Sequence, residues 1–351
     1  MFRDSCKQQT LFFMPFGFFL SLIFLSVSSA QVSQAAEVNV YSARKEALIK
    51  PVLDDFTQQT GVKVNLITGK ADALITRIQQ EGVLSPADIL ITTDAGRLVR
   101  AKSAGITQAI DSAKANAIVP QGFRDSEGHW YALTYRARTL VYAPDRVTTG
   151  ALSTLEQLAD PSWKGRICIR SSSNIYNQSM IAAMIDQMGE QATTEWVQGL
   201  VANLARRPKG GDRDQIKAVV SGQCDVAIVN TYYLAGMLND PDPKNRALAE
   251  QVEVFWLNQQ DRGAHINVSG IAVARHAPNV GQAKALIEFM LTPSSQAWYV
   301  QHNHEYPILE GVGLSETVKA MGSFKTEAVT MQTIGELNAA ALKLMDRAGW
   351  Q

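Results

Sequence analysis

The stretch YALTYRARTLVY, residues 131–142, decides the fold of this chain. Its apolar and polar residues alternate, which predicts one β-strand about twice as long as a typical strand. Arg136 and Arg138 are two positions apart, so an extended strand places them on the same face. A strand of this length suits a crossover from one lobe of a protein to another. The extended run HINVSGIAVAR, residues 265–275, suits a second crossover that leads back.

On both sides of the first crossover, strand patterns alternate with helical patterns. The strand-like runs are VNVYS (38–42), VKVNLI (62–67), ADILITT (87–93), GRICIR (165–170) and CDVAIVN (224–230). Runs such as ADALITRIQQEG, residues 71–82, have helical spacing. This alternation predicts an α/β fold with a largely parallel sheet. Together with the two crossovers, it predicts two α/β lobes with a ligand cleft between them.

Residues 1–36 have the composition of a secretory signal peptide. Basic Arg3 and Lys7 precede the strongly apolar residues 11–27, and small residues follow, so cleavage is expected between 30 and 36. The apolar stretch is short for a membrane span, and Pro15 interrupts it. We therefore expect an exported protein.

The exported chain is almost neutral. Removing residues 1–36 leaves 31 basic and 32 acidic residues, a formal net charge of −1. This balance argues against nucleic acid or an anionic membrane surface as the main partner. The remaining 315 residues are enough for two lobes.

Two cysteines follow the signal peptide, Cys168 and Cys224. In an oxidising compartment a pair of cysteines suggests one disulfide. Both also lie in strand-like apolar runs, which suits two buried free thiols equally well. The sequence leaves both alternatives open, because it does not give the Cα separation that a bridge requires.

No motif of a familiar enzyme occurs in the sequence: G-x-S-x-G, the P-loop, H-E-x-x-H and the dinucleotide fingerprint are all missing. Asp212, Asp214 and Ser172 are candidates for a hydrolase, but the sequence supplies no nucleophile with its base and orienting group. His302 and His304 have a spacing that occurs in metal sites. This spacing is common, so a solvated turn is the favoured interpretation.

Tyrosines follow two of the predicted strands. Tyr176 comes after GRICIR, and Tyr232 and Tyr233 come after CDVAIVN, each between a strand and a helix. Ligands bind at the carboxyl ends of strands in open α/β sheets, so three phenols can converge on the cleft. Free tyrosine titrates near pH ~10, and three phenolates at neutral pH therefore require a strongly polarising cation such as Fe³⁺. Neutral phenols would instead suit stacking and hydrogen bonding to an organic ligand.

The sequence resembles the periplasmic ferric-ion-binding proteins of iron(III) ABC importers. The runs that carry the resemblance are VYSARKEALIKP, TGKADALITRIQ, SPADILITTDAGRL, RSSSNIYNQS, GDRDQI, CDVAIVNTYYLAGM and HINVSGIAVA. They cover nearly the whole exported chain in order, and NTYY together with SSNIYNQS is specific. The resemblance implies a two-lobed, hinged periplasmic-binding-protein fold of class II (a "Venus flytrap"). In this fold we expect residues 37–137 plus 262–311 in lobe 1 and 138–261 plus 312–351 in lobe 2.

For the site, the resemblance implies that Tyr176, Tyr232 and Tyr233 are the phenolate ligands of Fe³⁺. It also implies that an arginine of the YRAR segment neutralises an added anion such as carbonate. Arg136 is the first choice for this role, and Arg138 is the second.

One position departs from the pattern of the family. Many relatives carry His-Tyr directly after the YSAR run, where this chain has Lys45 and Glu46. In those relatives His-Tyr can add ligands from the first lobe, and these have no counterpart at this position. Glu46 and Tyr135 are the candidates for an additional contact with the metal.

Residues and resemblance together predict a monomeric periplasmic protein that binds Fe³⁺, delivers it to an ABC permease in the inner membrane and catalyses no reaction. The alternative is a protein of the same fold that binds a small organic or anionic ligand such as a phosphonate or a polyamine, because the fold does not determine the ligand. A visible charge-transfer band from phenolate to iron would distinguish the two.

Overall fold

The computed structural model describes residues 10–12 and 36–351 of the chain. Apart from residues 10–12 and 36, the predicted signal peptide lies outside the described residues. Where the chain is described, no helix is long and apolar enough to cross a bilayer.

The ten strands found in residues 36–351 belong to one hydrogen-bonded sheet. They are β1 (Glu37–Ser42), β2 (Lys63–Thr68), β3 (Ile89–Thr93), β4 (Thr107–Gln108), β5 (Tyr131–Tyr142), β6 (Ile167–Cys168), β7 (Val226–Asn230), β8 (Glu253–Phe255), β9 (Ile266–Ala274) and β10 (Tyr306–Pro307). The main order across the sheet is β2-β1-β3-β9-β5-β7-β6; β4 pairs with β9, while β8 and β10 pair with β5. The two longest strands, β5 and β9, are therefore neighbours in the middle of the sheet.

Helices connect most of the strands. The α-helices are α1 (Lys50–Thr60), α2 (Ala71–Glu81), α3 (Ala95–Ser103), α4 (Ala113–Ile118), α5 (Ile175–Ala202), α6 (Asp212–Val220), α7 (Thr231–Leu238), α8 (Pro243–Ala249), α9 (Val280–Met290), α10 (Pro293–Asn303), α11 (Glu316–Ala320) and α12 (Met331–Arg347). Short 3-10 helices occupy Glu46–Leu48, Gly82–Leu84, Gln121–Phe123, Thr149–Ala151, Glu156–Ala159 and Pro161–Trp163. In α1 the apolar spacing buries Val52, Leu53 and Phe56, and Gly61 ends the helix in the left-handed conformation with φ 73°.

The sheet is mixed, so the prediction of a largely parallel sheet is wrong. β1 is parallel to β2 and β3, and β6 is parallel to β7. In contrast, β5 and β9 run antiparallel to each other and to their other neighbours. An alternating run of residues has the same pattern in either direction, and a strand that leads back from one lobe to the other runs against the first crossover.

The strand β5 changes its neighbour along its length, which divides the sheet into two parts. Residues 131–137 of β5 pair with residues 266–271 of β9, whereas residues 138–142 pair with residues 226–230 of β7. The first part contains β1, β2 and β3, and the second contains β6 and β7. β5 therefore runs through both parts, as the length of its alternating pattern predicts.

A disulfide joins Cys168 in β6 to Cys224 just before β7, with the Cα atoms 5.9 Å apart. β6 and β7 are parallel neighbours, and Cys168 pairs with Ala227 in the ladder between them. Both cysteines are buried in the apolar core of this part of the sheet. Of the two alternatives that the sequence leaves open, the structure contains the bridge.

Candidate functional site

The three tyrosines singled out in the sequence lie in the first turns of two helices. Tyr176 is the second residue of α5, and Tyr232 and Tyr233 follow the first residue of α7. The preceding strands β6 and β7 are parallel neighbours, so their carboxyl ends lie at the same edge of the sheet. As a result, all three phenols line one cavity of about 360 Å³. Charged and imidazole side chains complete much of its lining: Arg44, Lys45, Arg213, His302, His304 and Glu305.

The phenol rings pack against one another and beside cations. The ring centroids of Tyr232 and Tyr233 lie 4.4 Å apart. The guanidinium carbons of Arg136 and Arg170 lie 5.2 and 5.8 Å from the centroid of the Tyr176 ring. A guanidinium at this distance is attracted to the face of an aromatic ring. The site therefore combines three phenols with fixed positive charge.

Without a bound cation, the phenols of Tyr232 and Tyr233 hold their protons strongly. Burial, followed by the nearby Tyr176 and Tyr233 hydroxyls, raises the pKa of Tyr232 well above the usual 10.0, although Arg136 lowers it. Burial, followed by Tyr176 and Asp212, raises the pKa of Tyr233 to about 12. Any ligand that needs these groups as phenolates must therefore displace protons from them, which a multiply charged metal ion does.

A buried carboxylate holds the residues around the phenols in place. Asp212, the first residue of α6, accepts a hydrogen bond from the backbone N–H of Asn230 at 3.0 Å. Its other oxygen accepts from Nη1 of Arg170 at 2.7 Å, and its first lies 3.5 Å from Nη1 of Arg138. Burial lowers the pKa of Arg138. Burial also acts to lower the pKa of Arg170, but Asp212 is closer to this arginine and the net result is a raised pKa. Asp212 is thus a structural counter-charge rather than a free acid.

The other residues of the predicted hydrolase set are also in structural contacts. Asp214 accepts a hydrogen bond from the backbone N–H of Gly211 at 2.6 Å, close to the start of α6. The backbone carbonyl of Ser172 accepts from the side-chain amide of Gln178 at 2.8 Å. Asp214 therefore stabilises the start of α6, and Ser172 lies in a structural contact just before α5.

Arg136 keeps hydrogen-bond donors free beside the phenols. Its Nη1 donates to Oγ of Ser269 at 2.9 Å, and its Nη2 lies 3.8 Å from Oδ2 of Asp94. Nε and Nη2 are buried and make no hydrogen bond to any described residue. Arg138 is more fully engaged, because its two Nη atoms donate to Oδ1 of Asn230 and Oδ1 of Asn177. Arg136 therefore has more donors left for an anion than Arg138, although neither arginine is among the residues that line the tyrosine cavity.

The structure does not bring Tyr135 and Glu46 to the tyrosine cavity. Tyr135 stacks on Tyr306, with ring centroids 5.0 Å apart, and lines a different cavity of about 440 Å³ with Phe123 and Phe324. Since side chains alternate along β5, Tyr135 lies on the face opposite to Arg136. Glu46 is exposed in its 3-10 helix and is not among the residues that line the tyrosine cavity.

In the wall of the cavity that faces the tyrosines, sequence reasoning missed Arg44 and Glu305 and favoured a solvated turn for His302 and His304. Arg44 forms a buried ion pair with Glu305, with Nη2 2.5 Å from Oε2. His302 and His304 line the same wall. Arg44 lies in the YSAR run, and Glu305 lies in the HNHEYP run. These two residues are 261 positions apart in the sequence, and only the fold brings them together. In the described part of the chain, no cluster of three or more His, Cys, Asp or Glu side chains is arranged to hold a metal ion, so phenols are the main donors of this cavity.

The family model for bacterial extracellular solute-binding proteins matches residues 85–325 of the chain. Among curated proteins, iron uptake protein A1 of Synechocystis sp. is 46% identical over 315 residues, which covers 90% of this chain and 88% of that protein. The major ferric iron-binding protein of Neisseria meningitidis (serogroup A) is 26% identical and covers 92% of this chain and 95% of that protein.

Among solved structures, a Trichodesmium protein described as IdiA or FutA, in complex with iron and citrate, superposes with a TM-score of 0.87. It is 45% identical and covers 90% of this chain and 100% of that chain. The similarity therefore extends over almost all of the described residues.

Proposed function

The chain belongs to the family of bacterial extracellular solute-binding proteins and has the two-lobed class II fold of periplasmic binding proteins, and from this premise we propose that it binds Fe³⁺ in the cleft between its lobes. Tyr176, Tyr232 and Tyr233 are the ligands, as phenolates. The observation that carries the proposal is the convergence of these three phenols, from two neighbouring strand ends, on one cavity.

The proposed lobes are residues 37–137 plus 262–311 and residues 138–261 plus 312–351. The change of partner along β5 between residues 137 and 138 supports this division. With these bounds, the three tyrosines belong to lobe 2, and the facing wall with Arg44, His304 and Glu305 belongs to lobe 1. The cavity then lies between the lobes, where hinged binding proteins enclose their ligands.

Positive charge beside the phenols supports an added anion. Three phenolates cancel the charge of Fe³⁺, and the guanidinium of Arg136, whose Nη2 is 3.8 Å from Oδ2 of Asp94, can then attract an anion. An anion such as carbonate fits this position, because the free Nε and Nη2 donors of Arg136 are buried beside Tyr176. Citrate accompanies iron in the Trichodesmium structure, so an anion beside the metal has a precedent in a similar protein.

The protein is exported to the periplasm, carries iron as cargo and passes it to an ABC permease in the inner membrane, without catalysis. Closure of the lobes around the ion excludes water and selects the loaded form by its additional contacts. A monomer suffices for this role, since one chain contains both walls of the cavity.

An absorbance titration of metal-free protein with chelated Fe³⁺ in bicarbonate buffer tests this function. We expect a visible charge-transfer band that saturates near one iron per chain and disappears in the Tyr176→Phe variant. Tyr135→Phe is the matched control, because Tyr135 lines the other cavity and the band should remain. If the wild-type protein gives no band, the phenolate site is refuted and a small organic or anionic ligand becomes the better assignment.

A further inference from the structure

The wall of the cavity that faces the tyrosines has few side chains with a free lone pair. Oε2 of Glu305 accepts from Arg44 and from Oγ1 of Thr134, so this carboxylate is engaged in the protein. The ammonium group of Lys45 is a hydrogen-bond donor only. The side-chain Nδ2 of Asn303 donates to the backbone carbonyl of Leu48 at 3.2 Å, and its Oδ1 is buried without a partner among the described residues. The nitrogen donors with a lone pair in this wall are the two histidines.

The two histidines differ in how they are held. The ring of His302 stacks on Trp298, with centroids 4.9 Å apart, and its Nδ1 donates to the backbone carbonyl of Trp298 at 3.0 Å. His304 ends α10 in the left-handed conformation, with φ 54° and ψ 31°. Its Nδ1 is buried without a hydrogen-bond partner among the described residues. His304 is therefore a partly buried imidazole in the cavity, and no hydrogen bond to a described residue explains the position of its Nδ1.

The surroundings of His304 keep its imidazole neutral. Burial, followed by the nearby His302, lowers the pKa of His304 below 6.5. A neutral imidazole has a lone pair, and imidazole is among the side chains that bind iron. The left-handed conformation of His304 is a common way for a helix to end and is explained by the end of α10. The position of His304 in the cavity and its unpaired Nδ1 agree with a role as a metal ligand.

We propose that His304 is a ligand from lobe 1 to the ferric ion that the three phenolates hold on lobe 2. This inference rests on the proposed function. The ion would then connect the two lobes directly, and opening of the cleft would remove His304 from the metal while the phenolates remain bound. The anion beside Arg136 fills the remaining coordination positions.

Pulsed electron paramagnetic resonance of the Fe³⁺-loaded protein, in bicarbonate buffer without nitrogenous ligands, tests the proposal. We compare wild type with His304→Asn, because asparagine tolerates the left-handed conformation, and with His302→Asn as the matched control in the same cavity. We expect an imidazole nitrogen coupling in wild type and His302→Asn that is lost in His304→Asn. The Fe³⁺ affinity, measured by competition with a chelator, should be at least about tenfold lower in His304→Asn, because disturbing even the partners of metal ligands lowers affinity by about tenfold or more.

The outcomes separate the two proposals. A phenolate band without nitrogen coupling in wild type overturns the role of His304 and leaves the proposed function intact. Loss of the coupling in His302→Asn with retention in His304→Asn also overturns it. Absence of the phenolate band refutes the proposed function itself. Coupling that depends on His304, with a phenolate band still present in both variants, supports the inference.

Discussion

Replacing Asp212 by Asn should destabilise the metal-free protein strongly. The side chain of Asp212 is fully buried, and it is the counter-charge of Arg138 and Arg170 at 3.5 and 2.7 Å. Asparagine keeps an oxygen for the backbone N–H of Asn230 but removes the charge, which leaves the buried guanidinium of Arg138 uncompensated. Breaking a buried ion pair by removing one partner costs about 3–5 kcal/mol. Since Arg170 retains some access to solvent, we expect the lower end of this range, about 3 kcal/mol.

The assay is urea unfolding of the metal-free protein, followed by tryptophan fluorescence, with the free energy of unfolding extrapolated to water. The control is Asp54→Asn, which removes an ion pair with Lys50 whose side chains are 61% and 50% exposed. Such exposed pairs contribute less than about 1 kcal/mol. If Asp212→Asn also loses less than about 1 kcal/mol, the reasoning from buried charge is refuted. In that case the arginines of the cavity are held in place by other contacts.

Four further outcomes are expected. Because three phenols must lose their protons when iron binds, the apparent iron affinity at a fixed anion concentration should fall as pH falls, by about three logarithmic units per pH unit near neutrality; a slope of one or less, measured by chelator competition, contradicts three phenolate ligands. In metal-free protein, the raised pKa of Tyr233 (about 12) gives stability that is present below pH 10 and lost as pH approaches 12, which base titration of unfolding will show, with Tyr233→Phe as the control. Arg136→Ala should make iron binding less dependent on added carbonate, and an unchanged dependence in titrations with and without bicarbonate assigns the anion elsewhere. Reduction of the disulfide, which closes a loop of 56 residues, should lower the free energy of unfolding by roughly 4 kcal/mol; equal urea midpoints with and without reductant contradict this.

The sequence predicted those parts of the fold that depend on local patterns. The alternation in residues 131–142 corresponds to β5, and its length indicated a strand that runs through two parts of the sheet. Tyr176, Tyr232 and Tyr233 could be found because each follows a strand, and β6 and β7 are parallel neighbours. The direction of β5 and β9 could not be read, since an alternating run is the same in both directions.

The remaining features of the site depend on contacts between distant residues. Arg44 and Glu305 are ordinary charged residues in the sequence, and only their burial against each other shows that they form a wall of the cavity. His304 has the same appearance in the sequence as a histidine in a solvated turn, and the cavity distinguishes the two. Asp212 was singled out as an acid, although its two arginine partners make it a counter-charge.

The change of partner along β5 also limits how proteins of this kind can evolve. Arg136 contacts Ser269 in one part of the sheet, and Arg138, two positions later, contacts Asn230 in the other. Inserting or deleting one residue before Arg138 would turn every later side chain of β5 to the opposite face. Homologous proteins with this cleft can therefore differ in the residues of β5, but we expect selection against changes in its length. Insertions and deletions should instead occur in the loops.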